Sequence, residues 1–147
     1  MFRYKFLKTL LSVVAILFSA SAVAQINTEQ VLRIGQNALY FEDYMLSIQY
    51  FNQVITAKPY LAQPYFLRAI AKINLEDYSG AESDASKAIE LNPFITDAWE
   101  VRGVARQNLG RDSAAINDYD HALNLLPRNR QLLFNKAMAQ HSVKDYQ

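Results

Sequence analysis

The chain has 147 residues, 51% of them hydrophobic and 20% charged, with no cysteine and two histidines, the balance of an ordinary globular protein of about one domain. Lacking Cys, and with only His121 and His141, it has no ligand set for a zinc finger or iron–sulfur site, no thiol nucleophile and no disulfide framework. The formal charge of +1 hides an asymmetry: setting aside Arg3, Lys5 and Lys8 leaves 12 basic against 14 acidic residues from position 25 onward, too near neutral for broad attraction to nucleic acid phosphates.

Residues 1–24 form a segment of their own. A basic start is followed by an apolar stretch from Leu10 to Phe18 and then by small residues ending in Ala22-Val23-Ala24. This three-part layout predicts a secretory signal peptide with an A-x-A cleavage pattern, leaving Gln25 as the first mature residue. The alternative, an uncleaved anchor, is disfavoured because the apolar part falls short of the ~20 residues needed to cross a bilayer. The protein is therefore expected to be exported, periplasmic or secreted.

From residue 25 the chain repeats itself. Pro59, Pro93 and Pro127 are spaced by 34 residues, and other columns keep the same spacing. Gly35, Ala69, Gly103 and Ala137 are all small, as are Ser47, Ala81 and Ala115; Glu42-Asp43-Tyr44 returns as Glu76-Asp77-Tyr78. A period of this length signals stacked supersecondary units that bury one another's apolar faces. Within each unit, apolar steps of three and four predict two helices: Tyr65 to Leu75 and Tyr78 to Leu91 in the second unit, Trp99 to Leu109 and Ala114 to Leu125 in the third. The prolines stop each second helix. Gly110 and the acidic pairs fall in the tight turns, and the small columns fall where paired helices cross closely. The expected units are 28–61, 62–95 and 96–129, with a partial fourth at 130–147. The apolar face of that fourth helix, from Leu132 to Met138, suggests an N-terminal segment of a longer protein. Arg68 with Asp84 and Arg102 with Asp118, each 16 residues apart, are expected to pair within a unit, with Ile34 and Tyr50 as an apolar counterpart in the first. The rival arrangement joins Asp84 to Arg102 and Asp118 to Lys136.

These residues resemble the tetratricopeptide repeat family. Trp99, Gly103, Leu109-Gly110, Ala115, Tyr119, Ala122 and Pro127 match its signature in the third unit; Tyr65, Ala69, Asp77-Tyr78, Ala81, Ala88 and Pro93 match in the second; Gly35, Tyr44, Phe51 and Pro59 match in the first. Departures are Ala38, Lys72 and Arg106, where the family often has an aromatic, and Ala85, which replaces a large residue. The pentatricopeptide type, which reads RNA, has a 35-residue period and basic binding columns, and both count against it.

The resemblance implies an all-α, right-handed superhelical solenoid of helix hairpins, three full repeats plus the start of a fourth, whose first helices line a concave groove for a peptide or protein segment. The implied groove residues are Leu32, Gln36, Leu39, Phe66, Ile70, Ile73, Glu100, Val104 and Gln107, with His141 in the last column and Asp97 and Glu100 as rim charges. A subtype grips a terminal carboxylate with Lys, Arg and Asn, but Leu32, Gln36, Leu67, Asp97 and Val101 occupy the matching places here, so that clamp is not expected. The apolar residues could equally be inter-helix core. No catalytic, cofactor or metal site is expected: the acidic pairs sit at helix starts, where capping explains them, His121 reads as part of a solvated face and Trp99 as a core anchor. The expected function is a protein-interaction scaffold; the alternative is a docking or spacer region of a longer exported enzyme or sensor.

Overall fold

Three turns of one design set the architecture. Glu42, Glu76 and Gly110, 34 residues apart, all adopt left-handed backbone, with φ of 63°, 60° and 71°. In each turn the next N–H reaches back five residues: Asp43 to the Ala38 carbonyl, Asp77 to Lys72 and Arg111 to Arg106, at 2.8–2.9 Å. This closes one helix with a Schellman-type stop. Asp43 and Asp77 then cap the following helix by accepting from the N–H groups of Leu46 and Gly80. The carboxylate pairs of the sequence are thus turn chemistry.

The computed structural model describes residues 27–145; the proposed signal segment and the last two residues lie outside them. The helices in chain order are α1 (Thr28–Tyr40), α2 (Tyr44–Ala57), α3 (Ala62–Asn74), α4 (Tyr78–Leu91), α5 (Thr96–Asn108), α6 (Asp112–Leu125) and α7 (Arg130–Asp145). The described residues contain no strand. Three antiparallel hairpins, α1–α2, α3–α4 and α5–α6, stack side by side with α7 against the last. Helices α3 and α5 begin three residues before the apolar pattern does, and α6 begins two before. A first turn needs no apolar periodicity because its N–H groups have no intrahelical acceptor. For that reason Pro64, fully buried, is accommodated in the first turn of α3.

Close crossing within each hairpin follows size complementarity. A Cβ on Gly35 would lie 2.7 Å from a ring carbon of Phe51, and one on Gly103 would lie 2.5 Å from a ring carbon of Tyr119. The second hairpin meets the same geometry with Ala69 and Ala85, both fully buried. Ala85, which departs from the family pattern, is thus matched by an alanine in the glycine column.

An arginine binds each later hairpin to its predecessor. Arg68 grips Asp84 on its own hairpin at 2.6 and 2.7 Å and donates to Asn52 on the one before. Arg102 does the same with Asp118 at 2.7 Å and Ser86 at 3.3 Å. Their aromatic neighbours repeat as well. Tyr65 Oη donates to the Pro59 carbonyl and Trp99 Nε1 to the Pro93 carbonyl, and the two guanidiniums lie over the Tyr65 and Trp99 rings. The within-unit pairing is therefore the one the structure adopts. Lys136, in the arginine column, binds Asp120 rather than Asp118. In the first unit Ile34 stays 38% exposed, so the burial around the arginines is not repeated there.

Lys72 and Arg106, which replace the family's aromatics, enter the same networks: Lys72 binds Asp84 at 2.9 Å, and Arg106 binds Glu82 and Asp118, each at 2.9 Å. On α7, Leu132 and Ala139 are buried, while Leu133, Phe134 and Met138 are 48%, 60% and 48% exposed. No helix of the described residues is long and apolar enough to cross a membrane.

Candidate functional site

Successive first helices touch one another, α1 with α3, α3 with α5 and α5 with α7, whereas among the described residues α2, α4 and α6 show no such contacts. A layer whose first helices are closer together than its second helices curves toward the first, so α1, α3, α5 and α7 form the inner face. On it the repeat aligns three rows across the helices: Leu32, Phe66, Glu100 and Phe134; Gln36, Ile70, Val104 and Met138; Leu39, Ile73, Gln107 and His141.

All nine groove residues implied by the sequence are half-buried, and they divide by what they touch. Phe66 packs against the buried cluster of Ala88, Ile89 and Ala98, and Ile73 against that of Ala69, Ala81, Ala85 and Ala105. Those two are partly core. Ile70 and Val104 stand on the inner face and pack against none of the buried clusters of the described residues. Gln107 accepts from Tyr119 Oη at 3.0 Å, satisfying a phenol whose ionisation is pushed far up by burial and by the carboxylates of Glu100, Asp118 and Asp112. Phe134 and Met138 were not among the implied residues, although the 34-residue step from Glu100 and Val104 reaches them.

Glu100 differs from its expected place on the rim. It is half-buried, with Oε1 accepting from Asn135 Nδ2 of α7 at 3.0 Å. Burial raises its pKa above the ordinary 4.5, the nearby Asp97 raises it further, and the Asn135 bond opposes the rise. Asp97 itself is exposed in the first turn of α5. His121 is exposed, as its column implies, but stacks on Trp99 with centroids 4.4 Å apart. An open polar cleft of about 610 Å³ lies between the α5–α6 turn and the end of α7 and meets the groove through Gln107 alone.

Residues 62–94, the whole of α3–α4 and the three residues after it, match the tetratricopeptide repeat family model. No curated protein matches the chain. Among solved structures, the first TPR of Spaghetti (RPAP3) bound to the HSP90 peptide SRMEEVD is 26% identical, covering 80% of this chain and 93% of that one, with a TM-score of 0.78. The Arabidopsis OM64 TPR domain is 26% identical over 78% and 94%, with a TM-score of 0.76. The second TPR domain of human RPAP3, in complex with the HSP70 peptide SGPTIEEVD, is 25% identical over 78% and 98%, with a TM-score of 0.73. The matched repeat, the three like hairpins and these neighbours together make the described chain an all-α array of the tetratricopeptide-repeat type.

Proposed function

We propose that this protein is a non-enzymatic scaffold that binds an extended peptide or protein segment along its inner face, and that it does so after export with residues 1–24 removed. The observation that carries this reading is the set of aligned, largely apolar rows, half-buried on α1, α3 and α5 and exposed on α7, which offer pockets to alternate side chains of a bound segment. Two neighbours of similar fold are described with peptides ending in EEVD. Here Leu32, Gln36, Leu67, Asp97 and Val101 stand where a carboxylate clamp would have basic and amide groups, so a different class of peptide is expected. Catalysis has no support at the acidic pairs, since Asp43 and Asp77 cap helices. A second reading, a docking or spacer region of a longer exported enzyme or sensor, draws on the uncovered apolar face of α7; the reading frame downstream decides it.

A photo-crosslinking residue in place of Ile70 should capture partners in the native compartment, while the same residue in place of Glu90, exposed on α4, should not. Equal capture from both positions would refute an inner-face site. Intact-mass measurement of the exported protein should give a chain beginning at Gln25; retention of residues 1–24 would refute cleavage.

A further inference from the structure

Six carboxylates of the described residues are at least half-buried: Glu82, Asp84, Glu100, Asp112, Asp118 and Asp120. Four have a cation within 3 Å: Glu82 has Arg106, Asp84 has Arg68 and Lys72, Asp118 has Arg102 and Arg106, and Asp120 has Lys136. Asp112 sits in the first turn of α6, where the helix dipole favours a negative charge. Glu100 has neither. It lies in the second turn of α5 with one neutral donor, the Asn135 amide, and a like charge on Asp97 one turn away. No ion pair between described residues involves Glu100 or Asp97.

Its place in the rows gives this isolated charge a meaning. Phe66 on α3 and Phe134 on α7 are its row neighbours, and Ile70, Val104 and Met138 form the next row. We propose that the groove selects an extended segment carrying a Lys or Arg flanked by apolar side chains, with the cation on Glu100 and its stem between Phe66 and Phe134. The proposal rests on the inner-face reading above and deepens it. A cation delivered to a partly desolvated carboxylate completes a pair that the fold leaves open, and the two phenyl rings suit an aliphatic stem ending in positive charge. An acidic segment would bring a second negative charge to Glu100 and Asp97, so the preference is opposite in sign to the EEVD peptides described with the neighbours.

The test uses a phage-displayed library of random twelve-residue peptides selected on the protein that begins at Gln25, followed by titration of the most enriched synthetic peptide. Enriched sequences should place Lys or Arg beside apolar residues. Glu100→Gln, which preserves the bond from Asn135 and should melt no lower than the parent, should weaken that peptide roughly tenfold, the loss of about one charge-assisted bond. Replacing the peptide's basic residue with Met should cost the same, with no further loss when both changes are combined. Enriched peptides that lack a basic residue, or that bind Glu100→Gln equally well, would overturn the cation preference; if Ile70→Ala still weakens them, the groove reading survives. Peptides indifferent to Ile70→Ala, or no enrichment at all, would overturn both.

Discussion

Gly103 lies where a Cβ would come within 2.5 Å of the Tyr119 ring, which is fully buried and tied to Gln107 through its hydroxyl. The ring cannot swing aside cheaply, so Gly103→Ala should lower stability by about 1–3 kcal/mol even though alanine is the better helix former; chemical denaturation gives the value. The opposite sign is expected at Glu76, whose left-handed φ of 60° strains a side-chain-bearing residue. Glu76→Gly should raise stability by about 1 kcal/mol and the melting temperature with it. Glu100 supplies a pH signature. Its raised pKa means the native state holds this proton to higher pH than the unfolded chain does. Stability is therefore lost as pH rises from the ordinary glutamate range through the raised value. Glu100→Gln should accordingly melt higher than the parent protein at pH 7 and show no advantage near about pH 3, where both forms are neutral. A gain that persisted at low pH would point to packing instead of charge.

At the scale of elements, the arginine–aspartate units decide how hairpins are held together. Asp84 has a side chain only 7% exposed and serves Arg68 and Lys72 together. Asp84→Ala should therefore cost about 3 kcal/mol, the low end for breaking a buried ion pair because both cations retain some contact with water. The Lys87–Glu90 pair on the same helix, 40% and 67% exposed, is the control: Lys87→Ala should change stability by less than about 0.5 kcal/mol. The 16-residue spacing made the pairs themselves legible, because Arg68/Asp84 and Arg102/Asp118 recur in register. Their burial was not legible, because it depends on residues from other columns. Arg106 reaches 24 residues back to Glu82, and Glu100 meets Asn135 35 residues ahead. Such contacts cross hairpin boundaries and leave no periodic trace. Ala85, which replaces the family's large residue, faces Ala69 across the crossing, a pairing that no single column reveals.

For the whole molecule, a regular repeat makes the fold readable and the site only half so. Proline, small-residue and turn columns report backbone geometry that every unit shares, whereas the rows proposed to recognise a ligand are where the units differ. Leu32, Phe66, Glu100 and Phe134 share one geometric place and have different chemistry. Periodicity names such positions without separating lining from core. Phe66, half-buried against Ala88, Ile89 and Ala98, has a share in the core, so its truncation would confound binding with stability. Ile70 packs against none of the buried clusters and separates the two. Titration of a library-selected peptide into the parent protein and Ile70→Ala, with both melting temperatures recorded, tests the inner-face account most directly. Affinity should fall roughly tenfold or more, the worth of one well-buried aliphatic contact, with little change in melting. Unchanged affinity in a variant that still folds would contradict it.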